Sequence, residues 1–415
     1  MTFQIAPHSV IDGCRSCGGR NLVEVLDLGT TPLADRLLSE DTLDEPEYTC
    51  PLSVAFCPDC TLMQIRETVD PVILFGNDYP YYSSVSPALL KHFSASTDEV
   101  MSRRQLDGDS LVIEIASNDG YLLKNYLAQG VPVLGVDPAD GPATKAIERG
   151  IDTRIEFFTE EYAETLARNG CMADVLHANN VLAHVADTNG FVSGIAAILK
   201  DDGEAVIECP YLKPLIDECE FDTIYHQHLC YFSVTSLDAL FRRHGLYLNR
   251  VVFTPIHGGS LRLFVEKQDR PDSSVRDVLA AEKESGMTSA TYYKAFADRV
   301  RELGASLRQL LDGIHGRGET VAGYGAAAKG CTLMSFVGID DNDLGYIADM
   351  SAFKQGKYMT GNHLPIVAPE RIFDDMPDYV MILPWNFAEE IIEQQSDYRQ
   401  SGGRFIIPVP EPRVV

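Results

Sequence analysis

Two cysteine pairs, Cys14 and Cys17 in "CRSC" and Cys57 and Cys60 in "CPDC", have the type and spacing that most narrowly define a chemistry. Each CxxC lets two thiolates turn onto one ion, and four sulfur ligands close the tetrahedron of a zinc ion with no position left for water or substrate. The expected zinc is therefore structural. A redox pair would favour a thioredoxin-like strand and helix, which this stretch does not show, and Cys50 nearby is expected to be buried packing. A second concentration of chemistry lies in "DTIYHQHLCYF", residues 222 to 232, where His226 and His228 stand among Tyr225, Tyr231 and Phe232. It could be a packed aromatic corner, a metal site, or the place where a proton is removed. A metal site is the weakest of these, since no carboxylate or cysteine completes it at ligand spacing. On an extended chain neighbouring side chains point to opposite sides, so His226 is expected to pack.

These residues need a scaffold, and from about residue 110 the chain supplies strand and helix in alternation. "SLVIEIAS", "VPVLGVDP", "IDTRIEFF", "ADVLHANNVL" and "GEAVIECP" are short apolar runs separated by helical lengths, the order of a parallel sheet covered by helices. Ligands of such sheets bind at the carboxyl ends of the strands. There the sequence offers Glu114, Ala116, Asn118 and Gly120 after the first run, and Asp137 after the second, 20 residues beyond Ser117 (137 − 117) and placed to accept from ribose hydroxyls. Asn179 and Asn180 end the fourth. "ASNDGY" lacks the GxGxxG that brings a pyrophosphate onto backbone amides, whereas S-adenosylmethionine needs carboxylate and carbonyl acceptors and tolerates one glycine. The reading leans to the methyl donor.

Beyond residue 270 a helical stripe of Phe296, Val300, Leu303, Leu307 and Leu310 reads as core. "ETVAGYGAAAKG" then repeats strand, glycine turn and helix, with Gly323, Gly325 and Lys329 able to meet a phosphate or, equally, to pack a helix closely on a strand. "LGYIADM", "DYVMILPW" and "GRFIIPVP" extend a second nucleotide-binding-like sheet. The expected fold class is α/β in three units: a zinc-binding domain at 1–80, a Rossmann-like methyltransferase domain at 81–270 and a C-terminal Rossmann-like domain at 271–415. With 61 acidic against 34 basic residues and a net charge of −27, the chain would repel nucleic acid. No run reaches the roughly 18 to 20 apolar residues of a membrane span, and the N-terminus lacks signal-peptide character, so a cytoplasmic protein is expected.

The quoted motifs, with "LDLGTTPLADRLL", "YPYYSSVS", "HGGSLRLF", "KQGKYMTGNHLPI" and "PWNF", stand in the order found in three-domain C-methyltransferases of nucleotide-linked deoxysugars, which the chain resembles over nearly its whole length. The resemblance implies methylation of a carbon, most often carbon 3, beside the keto group of a nucleotide diphosphate 4-keto-6-deoxysugar, with S-adenosylmethionine as cofactor and zinc as structural ion. It makes His228 the base, brings Tyr225, Gln227 and His184 to the sugar, and closes Tyr79 or Tyr81 over it. It implies substrate contacts from His257, Gly258, Ser260, Arg262, Tyr324, Lys329, Lys354 and Asn386. Relatives commonly carry Glu where this chain has Gln227 and Gly where it has Ala116. Methylation at another carbon such as position 5, another activated keto sugar, and a non-catalytic scaffold stand as alternatives. The oligomeric state is left open, a monomer included.

Overall fold

The computed structural model describes residues 2–75 and 82–415, apart from the side chain of His257. The apolar runs become strands that are buried along their length, Val112–Ile115 and Tyr379–Ile382 among them. Strands covered on both faces are what parallel sheets require, since their crossover helices pack on each side. The "IDTRIEFF" run is the exception: only Thr153–Arg154 pairs, and Phe157 is exposed, because the chain there has reached the sheet edge and has no further neighbour.

Three main sheets organise the described residues. The first joins Phe3–Ile5, Glu47–Phe56, Met63–Ile65 and Cys230–Tyr231 in order, with Val23–Pro32 on the other flank of Glu47–Phe56. Its edge strand Cys230–Tyr231 comes from the aromatic stretch far along the chain, pairing with Met63 and Gln64. The second has the order Tyr247–Thr254, Ser260–Glu266, Leu199–Pro210, Ala173–Asn179, Val112–Ile115, Val133–Val136, Thr153–Arg154. Ser260–Glu266 runs antiparallel to both its neighbours and the other pairings are parallel. The third runs Ile366–Val367, Ile347–Ala348, Val321–Tyr324, Tyr379–Ile382, Arg404–Ile407, Arg413–Val414, antiparallel only at the last.

Both parallel sheets reverse their winding beside their first strand. After Val112–Ile115 the chain lays two strands on one side and then Ala173–Asn179 on the other; after Val321–Tyr324 it does the same before Tyr379–Ile382. Such reversals open crevices at the strands' carboxyl ends.

Helix Ala290–His315, N-capped by the Ser289 side chain, carries the expected apolar stripe, with Phe296, Val300, Leu303 and Leu307 buried and Leu311 more deeply buried than Leu310. Tyr293 of this helix stacks on Phe56 of the first sheet, ring centroids 4.3 Å apart. Helix Pro87–Arg104 has Ser86 as N-cap and Pro87 in its first turn, where a missing N–H costs nothing, and lays Phe93 and Val100 into the core beside the second sheet. Among the described residues no helix is long and apolar enough to cross a membrane.

Candidate active site

The four cysteine ligand atoms converge within 4.8 Å of one another, across the turn at Cys14–Cys17 and the turn that follows strand Glu47–Phe56. Tetrahedral zinc with bonds of about 2.3 Å separates its sulfurs by about 3.8 Å, so the cluster fits the ion. Cys14 and Cys60 sulfurs stand 3.5 Å apart, as do Cys17 and Cys57. The Gln64 amide donates to Cys14 Sγ at 3.2 Å and the Gly19 N–H to Cys17 Sγ at 3.4 Å, outer contacts that suit thiolates. Cys50 lies apart, buried against Leu33 and Val69.

At the first crevice the backbone is bent for a ligand. Ala116, Asn118 and Asn180 hold positive φ without being glycine, and Gly120 at +76° abuts Ile151 so closely that a Cβ would overlap it. Asp137 accepts the N–H groups of Asn118 and Ala139, each at 2.8 Å, one on each carboxylate oxygen. These bonds fix its orientation and leave lone pairs for a further donor. Glu114 is fully buried with the Tyr121 and Asn179 side chains beside it but no well-aligned hydrogen bond on either oxygen, and Ser117 Oγ, Asn179 Nδ2 and Asn180 Oδ1 are likewise buried without a well-aligned partner among the described residues. Burial pushes the Glu114 carboxyl well above its ordinary range and Asp137 upward too. Native interiors rarely orphan so many polar atoms in one place, and a polar ligand with an ammonium and a ribose fits them. The residues that would hold S-adenosylmethionine are therefore Glu114, Asp137, Asn179 and Asn180 with the 116–120 loop.

Strand Ala173–Asn179 leads through Asn180 into the turn Leu182–His184, which delivers His184 to His228, ring centroids 4.8 Å apart at a steep angle. "YHQH" is a tight turn closed by His228 N–H to the Tyr225 carbonyl at 2.8 Å, which corrects the extended reading. On extended chain His226 and His228, two apart, would share a side; the turn is what separates them. His226 Nε2–H donates to the Pro51 carbonyl in the first sheet at 2.9 Å, so it packs as expected. His228 turns the other way. Its Nδ1–H donates to the Thr223 carbonyl at 2.8 Å, which leaves Nε2 with its lone pair, facing the Tyr225 hydroxyl at 3.0 Å. Desolvation lowers His184 to about 4, so its ring is neutral at physiological pH, and its buried Nδ1 has no partner among the described residues. Gln227 is 5% exposed between them.

The second crevice faces this turn. Gly325, at φ +86°, lies against Pro384, and Lys329 places its ammonium on Asn386 Oδ1 and 3.9 Å above the Trp385 ring. Lys354 donates to the Ala326 carbonyl at 2.6 Å. Asp349, just past strand Ile347–Ala348, accepts from the N–H groups of Ala326 and Ser351 at 2.7 Å each, the same clamp that Asp137 makes in the second sheet. Across the crevice are Glu220 and Asp222, whose carboxyls burial pushes up to about 7 and about 6 against the pull of Lys329.

The structure thus gathers Glu114, Ala116, Asn118, Gly120, Asp137, Asn179 and Asn180 at one crevice, Tyr225, Gln227, His228 and His184 beside it, and Lys329, Lys354 and Asn386 at the other. Gly258 abuts the Glu220 carboxylate. Ser260 Oγ donates to the Ile256 carbonyl at 3.1 Å. Arg262, expected at the substrate, has its guanidinium on Glu208 at 2.5 Å and Glu99 at 3.3 Å, with His92 alongside, tying helix Pro87–Arg104 to the second sheet. Tyr324 points into the third sheet's core with Ile372 and Ile382. Tyr79 and Tyr81, with the His257 side chain, lie outside the described residues. Sequence reading passed over Asp222, Glu220, Asp349 and Trp385. The position of Asp349, just past the second strand of the repeated pattern, matched that of Asp137 and could have revealed it.

A reversed parallel sheet with an acid-and-amide crevice, joined to a closed four-thiolate site, defines an S-adenosylmethionine-dependent methyltransferase with a structural zinc domain. Three family models match in succession: a zinc binding domain over residues 14–75, a methyltransferase domain over 90–251 and a C-methyltransferase C-terminal domain over 255–410. The C-methyltransferase NovU of Streptomyces niveus is 37% identical over 410 residues, spanning 98% of this chain and 97% of that protein. The chain belongs to this C-methyltransferase family. Solved structures that align include magnesium protoporphyrin IX methyltransferase of Synechocystis with bound S-adenosylmethionine (13% identity, 43% of this chain and 79% of that one, TM-score 0.33). An S-adenosylmethionine-dependent methyltransferase of Clostridium acetobutylicum aligns similarly (12%, 43% and 91%, 0.35).

Proposed function

We propose that this C-methyltransferase acts on a nucleotide diphosphate 4-keto-6-deoxysugar, at the ring carbon beside the keto group, carbon 3 in the first instance. In this reading units 1–80, 81–270 and 271–415 hold the zinc, the cofactor and the nucleotide in turn. The supporting observation is the His228 imidazole, whose Nδ1–H is committed to a backbone carbonyl so that the basic nitrogen is Nε2, which faces the Tyr225 hydroxyl at 3.0 Å, with His184 from the end of the Asn179–Asn180 segment beside the ring. A ring carbon becomes a nucleophile only when a proton next to a carbonyl is removed. His228 Nε2 takes that proton, and the Tyr225 hydroxyl, a neutral donor, faces the oxygen on which charge develops. S-adenosylmethionine, when bound, supplies an electrophilic methyl group to the carbon. His184, neutral at working pH, adds polarity without a competing charge. Lys329, Lys354 and Asn386, around the Gly325 turn, hold the diphosphate.

The test uses substrate deuterated at the carbon to be methylated. Wild-type protein is expected to lose the label on turnover, and His228→Asn to bind both ligands yet fall by a factor of about 100 to 10,000, the usual contribution of a general base. A His228→Asn protein that turns over at the wild-type rate would remove the histidine from this role. Mass spectrometry of products from a panel of nucleotide keto sugars identifies the carbon and the sugar.

A further inference from the structure

The chain has a single tryptophan, and it occupies the junction between the second crevice and the base. Trp385 follows strand Tyr379–Ile382 in the short turn Trp385–Phe387, with the Lys329 ammonium over its face. Its Nε1–H crosses to Asp222 Oδ2 at 2.8 Å. Asp222 is completely buried in the turn Phe221–Thr223, where the backbone N–H groups of Asp222 and Thr223 also face its carboxylate, and the indole is its one side-chain hydrogen bond among the described residues. The residue after it presents the Thr223 carbonyl that takes the His228 Nδ1–H. The same segment is held from the C-terminal unit twice more, by Thr332 Oγ1 donating to the Ile224 carbonyl at 2.9 Å and by Phe336 edge-on to Phe221 at 5.1 Å. A carbonyl that selects a tautomer must be held to a fraction of an ångström, because the proton it receives decides which ring nitrogen is basic. Here the hold comes from a different sheet.

We infer that Trp385 and Asp222 are positioning residues that set the orientation of His228 from the nucleotide side, so that base and nucleotide crevice act as one unit. The mechanism is geometric. Lys329, which with Asn386 would meet the diphosphate, lies over the Trp385 ring and bonds to Asn386, the next residue in the chain; occupancy fixes the indole, the indole fixes Asp222, and Asp222 fixes the carbonyl one residue on. An anion drawn onto Lys329 also withdraws charge from the Trp385 face, which the indole reports as a change in emission. This inference rests on the proposed nucleotide-sugar reading, and its experiment separates the two.

Fluorescence of the lone tryptophan is titrated with uridine and thymidine diphosphates, and hydrogen-to-deuterium exchange at the substrate carbon is measured with and without S-adenosylmethionine. Saturable change in emission is expected in wild-type protein and its loss in Lys329→Ala. Trp385→Phe, which keeps an aromatic ring on the turn but loses the N–H together with part of the indole, should lower both exchange and kcat about 10- to 100-fold, the scale of a small misplacement, with KM and methyl-donor affinity within a factor of about 3. Asp222→Asn keeps an acceptor and should retain more exchange than Asp222→Ala; should Asp222→Ala not fold, Trp385→Phe carries the test alone. No emission change with either nucleotide, in active protein, would overturn the nucleotide reading of the crevice. A saturable nucleotide response in the wild-type protein together with wild-type exchange in Trp385→Phe would overturn the positioning role and leave that reading standing.

Discussion

Buried histidines make the stability of this protein pH-dependent in a direction that each residue sets. His177 is fully buried beneath the Tyr126 hydroxyl at 2.8 Å, and desolvation lowers it to about 3, as it lowers His184 to about 4 and also lowers His226. Above the unfolded value near 6.5 both states are neutral; as pH falls below it the unfolded chain binds a proton that the folded one refuses, and stability drops until the folded value is reached. Asp222 and Glu220 oppose this, because their raised values let the folded protein bind protons first as the pH falls from about 7. A single-site difference isolates the effect. His177→Gln should make the unfolding free energy from urea titrations less pH-dependent between about pH 6 and 4, by about 1.4 kcal/mol per pH unit at most. Parallel wild-type and variant profiles would show that His177 titrates normally in the fold.

At the scale of an element, the turn after Val321–Tyr324 depends on one atom's absence. Gly325 has φ +86°, which costs an L-residue roughly 1 to 2 kcal/mol, and a Cβ there would run into the Pro384 ring. Gly318 has a similar φ of +75° with open space around it. Gly318→Ala should therefore lose only the conformational part, about 1 kcal/mol, whereas Gly325→Ala adds an overlap of about 1 to 3 kcal/mol and displaces the loop carrying Trp385. Thermal unfolding of the pair gives the comparison. Equal losses would mean that Pro384 yields, and that the second crevice is softer than its packing implies. The close packing expected of the glycine pattern holds at this turn, and Lys329 stands beside it on Trp385 and Asn386.

For the whole molecule, zinc reaches further than its closed coordination suggests. Strand Cys230–Tyr231 pairs with Met63–Ile65 of the zinc-bearing sheet, and His226 is bonded to Pro51 in the same sheet. The "YHQH" turn thus hangs between the zinc unit and the C-terminal unit. Chelation, or Cys57→Ser, is expected to lower the unfolding temperature and also to lower turnover at temperatures where the central sheet stays folded, while methyl-donor affinity by calorimetry changes little. Full turnover in folded, zinc-free protein would cut that link. A second tie binds the same unit to the third sheet: Glu47, buried, accepts from Thr360 Oγ1 and Gly361 N–H at 2.8 Å each and meets His363 at 2.6 Å. By itself the sequence determined what short-range physics decides. The four-thiolate spacing, the alternation of buried strands and helices, the acid at the second strand end and the two histidines within one turn's length are all local patterns whose chemistry follows from residue type and separation. The partners of Arg262, Asp222 and Trp385 were decided only by tertiary structure. Glu208 and Arg262 meet because antiparallel strands place them opposite each other, and Trp385 finds Asp222 across 163 residues because two sheets face one turn. No local spacing encodes which buried charge takes which partner; that depends on which pairing relieves the most desolvation once the sheets have packed.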